Sequence, residues 1–233
     1  MDEVDHRLIA AIREGLRATG DATLATRQQA YMKSAMPYAG VTVPQMRSLV
    51  RTAAAEPFGS ERAWRDTVLA LWRGAEVREE RYAAVELARR RSAAAYAQAR
   101  STLPMWREFI VDGAWWDHVD EVAVHLVGPL LLTHPAPVTA TMRRWSTDRD
   151  RWLRRASVIC QVGLGQQVDT ALLADCITAN AGDPDFFLRK AIGWALRQHA
   201  RVDPAWVRTF VDTHPPSPLS RREALRHLGR VDG

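Results

Sequence analysis

The chain has 233 residues, 47% of them hydrophobic, which is enough for one compact core or one continuous repeat array and too little for two independent domains. A formal charge of +5 makes a polyanion a natural partner, although the bias behind it also follows from GC-rich coding, since all basic residues except Lys33 and Lys190 are arginine. Cys160 and Cys176 show no CxxC pairing, which argues against a disulfide framework or a zinc site and fits a reduced, cytoplasmic setting.

Met1 to Ala10 is acidic and amphipathic rather than basic and then apolar, and no run of eighteen apolar residues follows, so neither export nor a membrane span is expected. From there apolar residues recur at helical spacing, as in Leu8-Ile9-Ile12-Leu16, Trp64-Val68-Leu71-Trp72 and Val119-Val122-Ala123-Leu126, with no sustained alternation. The fold class this predicts is all-α. Breakers at Gly20, Pro37/Gly40, Pro57/Gly59, Gly74, Pro135/Pro137, Gly163/Gly165, Gly182/Pro184, Pro204 and Pro215/Pro216 leave room for roughly eleven or twelve helices of about ten to eighteen residues. Short loops between helices favour a helical-repeat solenoid, one domain over residues 1–233, with helix pairs beginning near Ser60, Met105, Pro137 and Val168 as degenerate repeats. Such an array presents an extended surface that suits a long polymer.

Early in the chain, Gln29-Ala30-Tyr31-Met32-Lys33 places a tyrosine and a lysine on a short helix before the Pro37/Gly40 turn. Further on, Trp115-Trp116-Asp117-His118-Val119-Asp120 opens a helix continuing through Val127, with Trp116 and Asp120 on one face. Asp120 interrupts an apolar stripe. A carboxylate there needs either a structural partner, such as an arginine on the next helix, or a chemical purpose. His118 and His125 lie on the same helix without ligand spacing. Asp150-Arg151-Trp152-Leu153-Arg154-Arg155 puts Arg151 and Arg155 on one face near a helix start, where backbone amides help bind phosphate.

The segment Phe186 to Arg201 buries Phe187, Leu188, Ala191, Ile192, Ala195 and Leu196 on one face and gathers Lys190, Trp194, Arg197 and Arg201 on the other. Cations interleaved with an aromatic suit a surface that grips phosphates and stacks on a base or sugar; a tryptophan shielded by arginine stems is the plainer alternative. Residues 215–233, with Pro215, Pro216 and Pro218 ahead of a basic helix, read as a C-terminal cap with a frayed end. No Walker loop, GxSxG elbow or HExxH sequence occurs.

Taken in order, Ala30-Tyr31-Met32-Lys33, Trp115-Trp116-Asp117-His118-Val119-Asp120 with His125-Leu126-Val127-Gly128, Trp152-Leu153-Arg154-Arg155, and Phe186-Phe187-Leu188-Arg189-Lys190-Ala191-Ile192-Gly193-Trp194 resemble the AlkD-like DNA alkylation-repair glycosylases over about residues 25 to 205. The resemblance implies a HEAT-like solenoid whose concave basic face holds duplex DNA, and excision of cationic N3- and N7-alkylpurines such as 3-methyladenine and 7-methylguanine without flipping the base into a pocket. By the same resemblance Asp120 would be the catalytic carboxylate, and Trp116 and Trp194 would pack on the deoxyribose. Arg155 would hold the backbone nearby, and Tyr31 would lie at the DNA surface. Lys33, Arg154, Lys190, Arg197 and Arg201 complete the expected DNA contacts. The expected enzyme is a monomeric, monofunctional N-glycosylase with no metal and no organic cofactor, cytoplasmic and nucleoid-associated on DNA. A non-catalytic DNA-binding repeat protein, a HEAT-type protein scaffold and a self-resistance glycosylase against a DNA-alkylating natural product remain open alternatives.

Overall fold

The computed structural model describes residues 3–228 and contains no strand among them. The expected all-α, helical-repeat class holds. Loops repeatedly end in an acid or serine that caps the next helix: Asp5, Asp21, Ser60, Asp150, Asp169, Asp185 and Asp203 each accept backbone amides of the first turn. These side chains satisfy donors that have no partner inside the helix, and each such cap contributes about 1 kcal/mol.

The chain divides into two compact units, Met1–Ala99 and Arg100–Gly233. The first comprises α1 (His6–Thr19), α2 (Ala22–Met32), α3 (Val43–Ala53), α4 (Glu61–Arg73), α5 (Arg78–Ala88) and α6 (Ala94–Ala97). Ile12, Leu16, Val50, Trp64, Val68, Leu71, Trp72 and Leu87 form its core. The loop after α2 is fixed from below by buried Glu79, whose carboxylate accepts the amides of Ala39, Gly40 and Val41 at 2.9, 3.0 and 3.1 Å. Gly40 is required there: its φ is +80°, and a Cβ would lie 1.9 Å from the Asp21 carbonyl oxygen.

The second unit comprises α7 (Leu103–Gly113), α8 (Trp116–Val122), α9 (Gly128–Thr133), α10 (Pro135–Trp145), α11 (Arg151–Ile159), α12 (Thr170–Thr178), α13 (Phe186–His199), α14 (Pro204–Thr213) and α15 (Pro218–Ala224). Trp106, Phe109, Ile110, Val122, Leu130, Met142, Leu153, Leu188 and Ile192 are its buried centre. Within it α8, α11 and α13 begin at residues 116, 151 and 186, a 35-residue period that aligns Asp120, Arg155 and Lys190 at the fifth position of these three helices. The aspartates repeat in register as well: Asp148 caps the amide of Asp150, and Asp183 that of Asp185.

Two expectations change and a third gains detail. The helices are more numerous and several are shorter than expected, in part because the helix predicted from Trp116 through Val127 is interrupted. Residues Ala123–Val127 form a π turn in which the Gly128 amide bonds the Ala123 carbonyl. Pro129, which follows, has no N–H to offer His125, so the regular ladder cannot continue through this point. Second, α13 ends at His199, and Arg201 lies in the turn beyond it rather than on the helix. Third, the expected C-terminal cap is α15, packed on α13, while residues 229–233 of that stretch lie outside the described residues. No helix among the described residues is long and apolar enough to cross a membrane.

Candidate active site

The site is built at the starts of α8, α11 and α13. Ala114 closes α7 in a left-handed conformation (φ 39°, ψ 33°), which turns the chain so that Trp115 enters extended and α8 begins at Trp116. The Trp115 ring packs 5.9 Å from Trp152 and 5.3 Å from Phe187, and Trp152 lies 5.1 Å from Phe187. The Arg151 guanidinium covers Trp152 at 4.9 Å while pairing with the Asp185 carboxylate at 3.2 Å. One aromatic from each helix start therefore holds the three first turns together, and the fifth residues fall in a row one turn further on.

In that row Arg155 donates from Nε to Asp120 Oδ1 at 2.7 Å and from Nη2 to Oδ2 at 2.8 Å, a two-point fork. Its remaining terminal nitrogen, Nη1, donates to the Phe187 carbonyl at 2.5 Å. The Arg155 side chain is 7% exposed and that of Asp120 17%, so the carboxylate is the more accessible partner of the pair. Burial pushes the Asp120 carboxyl above its ordinary value of 3.8; the Arg155 hydrogen bonds and charge pull it back only in part, and the nearby charges of Asp117 and Glu121 push it further up. Trp116 stands one turn before Asp120 and is half-buried. Immediately after this helix, the π turn brings Gly128 against the end of α11, where a Cβ would lie 2.5 Å from the Cys160 carbonyl oxygen.

Of the other predicted residues, Trp194 is half-buried on α13, one turn beyond Lys190. The cations beside it have protein partners: Lys190 and Arg197 both reach Glu223 of α15, at 3.4 and 2.7 Å. Arg154 pairs with Asp183 at 2.9 Å and donates to the Asp148 carbonyl at 3.0 Å. Arg201 is exposed. Tyr31 and Lys33 belong to the other unit; Tyr31 is 78% exposed at the end of α2, and Lys33 caps that helix in a left-handed conformation (φ 50°, ψ 41°). The structure thus joins Asp120 to Arg155 directly and hands Lys190 and Arg197 to a carboxylate that the sequence reading did not single out. Among the described residues no group of three or more His, Cys, Asp or Glu could hold a metal ion.

The family model for "DNA alkylation repair enzyme" matches residues 12–228, and the chain belongs to that family. A solved structure titled a predicted DNA alkylation repair enzyme from Enterococcus faecalis superposes with a TM-score of 0.80 at 25% identity, covering 91% of this chain and 98% of that one. No match was found among curated proteins.

Proposed function

We propose that this protein is a monofunctional DNA N-glycosylase that removes cationic N3- or N7-alkylpurines from duplex DNA by hydrolysis. The observation that carries the proposal is the Asp120 carboxylate, held by both arms of the Arg155 fork and presented one turn from Trp116. An alkylated purine already carries positive charge, so the C1′–N9 bond breaks with its electron pair going to the departing base. The base leaves neutral, and the sugar is left as a cation. A fixed carboxylate beside C1′ stabilises that cation, and because its charge is oriented before the reaction no reorganisation is needed as the bond breaks. A water oxygen then bonds C1′ and its proton passes to Asp120 or to solvent, giving an abasic site and free base.

Arg155 acts through Asp120 in this scheme. Its buried fork sets the carboxylate's orientation, which is a different primary task from the backbone contact expected for it. Trp116 and Trp194 offer flat indole faces to the sugar, whose developing charge they attract. Tyr31, Lys33 and Arg201 are exposed and suit contacts to the DNA backbone. Because the chemistry is directed at the sugar, the lesion can stay in the stack.

The test is release of 7-methylguanine from methylated duplex under single-turnover conditions, comparing wild type with Asp120→Asn. Release by wild type and its loss in the variant, with duplex affinity retained, is the expected result. Equal rates for the two proteins would remove Asp120 from the mechanism, and no release by wild type despite DNA binding would favour the non-catalytic reading.

A further inference from the structure

The Trp194 face of α13 is covered in an unexpected way. Gly193, next to Trp194, is where α15 crosses: a Cβ on it would lie 2.5 Å from the Glu223 Cβ and 3.1 Å from the Ser220 carbonyl oxygen. Ser220, fully buried, donates its hydroxyl to the Arg189 carbonyl at 2.8 Å and fixes the crossing from the other side. This contact brings the Glu223 side chain, only 6% exposed, between the two cations that flank Trp194. Arg197 Nη1 donates to Glu223 Oε2 at 2.7 Å, Lys190 Nζ lies 3.4 Å from Oε1, and Arg226 Nη2 donates to Oε1 as well.

Three cations on one buried carboxylate leave an excess of positive charge around an anion that DNA cannot displace without breaking the α13–α15 crossing. We infer that Glu223 is an internal counter-anion that engages Lys190 and Arg197 and holds them off the DNA backbone, so that Trp194 meets the duplex between cations already tied to a protein carboxylate and the protein's hold on undamaged DNA stays weaker than free cations would make it. The inference rests on the reading of this chain as a duplex-binding enzyme, and it assigns Glu223 a role in discrimination: a phosphate grip at this face would strengthen binding to every sequence equally, damaged or not. A repair enzyme gains nothing from that, since uniform binding to undamaged duplex only lowers the share of protein free to find lesions.

The experiment measures affinity for an undamaged duplex as a function of salt. Each phosphate neutralised contributes about −0.9 to the slope of log K against log salt. Glu223→Gln keeps the size of the side chain and releases Lys190, Arg197 and Arg226, so the slope should steepen by roughly one to three, with tighter binding at low salt. Adding Lys190→Gln, Arg197→Gln and Arg226→Gln to that variant should return the slope to the wild-type value. Lys190→Gln alone, a change at a partly exposed position that does not depend on how the Glu223 variant folds, should move the slope by less than about half of one phosphate's contribution. A Glu223→Gln slope equal to or shallower than wild type, or a full phosphate's loss from Lys190→Gln alone, overturns the inference. Base release is not read here, so a protein that binds duplex without excising anything would sink the glycosylase proposal and leave this result standing, whereas a wild type with no duplex affinity would overturn both.

Discussion

Two buried carboxylates of the second unit are clamped by arginine, and they are clamped differently. Asp120 meets one guanidinium in a balanced two-point fork and stays the more exposed partner of its pair, whereas Glu223 is closed off by Lys190, Arg197 and Arg226 together. A one-to-one pair with its acid on the outside is arranged to show a negative charge to something that arrives. A single acid under three cations is arranged to absorb positive charge that would otherwise be shown. Both depend on a glycine that admits a neighbouring backbone or side chain, Gly128 against Cys160 in the first case and Gly193 against Glu223 in the second.

The comparison breaks most severely at Arg155. Arg155→Met keeps the bulk of the side chain but leaves the Asp120 carboxylate and the Phe187 carbonyl without their donor. Removing one partner of a buried pair costs about 3–5 kcal/mol, because the other charge stays buried and unpaired. Chemical denaturation should show that loss, and excision should fall with it. Were the stability change under about 1 kcal/mol, the pair would be solvated like a surface ion pair and not the rigid fork described here.

Asp120→Asn sharpens the same side of the comparison through activity. Loss of a preorganised charge at a developing cation is worth about 10²–10³ in rate, and the variant should lose that much single-turnover excision while binding duplex with wild-type affinity. Acidity gives an independent check. With its folded-state value above 3.8, Asp120 holds its proton at a pH where the unfolded chain has released it. Its contribution to stability is therefore full below the unfolded value and is lost as pH rises through the folded one. Under the proposed mechanism excision runs the opposite way, because there the ionised form stabilises the sugar cation: the rate should climb with pH through a midpoint above 3.8. A midpoint at or below that value would mean that the carboxylate is not desolvated in the working site.

Much of this was legible in the amino-acid sequence, for physical reasons that also explain what was not. Trp116 and Asp120 sit one turn apart, so their shared face follows from helical geometry alone, and the all-α class follows from the spacing of the apolar residues. The sequence left open whether Asp120 has an arginine partner on the next helix or a chemical purpose; the partner is Arg155, on α11 beyond α9 and α10. That choice is set by the 35-residue register of α8, α11 and α13, visible in the matched aspartates at 148, 150, 183 and 185 once the helix starts are known. Glu223 escaped notice because it lies in a basic, proline-rich stretch whose local pattern reads as a solvated cap. Its role comes from a crossing between helices thirty residues apart, and the local sign of that crossing is only the glycine at 193. The π turn after Asp120 was hidden in the same way, since periodicity across 116–127 is unbroken and only Pro129 marks the missing donor.

Gly193 offers the mildest way to test the second clamp without touching its charges. Gly193→Ala adds one methyl group where 2.5 Å separates it from the Glu223 Cβ, and that neighbour is the root of a side chain, which can yield only if α15 shifts. Overpacking of this kind costs about 1–3 kcal/mol. Alanine in a helix interior recovers up to about 1 kcal/mol of that through reduced backbone entropy in the unfolded chain. The net loss should therefore be about 0–2 kcal/mol, readable as a lower melting temperature. As α15 shifts, Glu223 moves away from Lys190 and Arg197, so the salt slope on undamaged duplex should steepen in the same direction as in Glu223→Gln and by a smaller amount. The Asp120–Arg155 fork lies on α8 and α11 and touches α13 only at the Phe187 carbonyl in its first turn, ahead of the crossing at Gly193, so the acid limb of excision should stay where it is in wild type. A steeper slope with an unmoved acid limb would separate the two carboxylates by function. If the acid limb moved as well, the two clamps would be one mechanically coupled site.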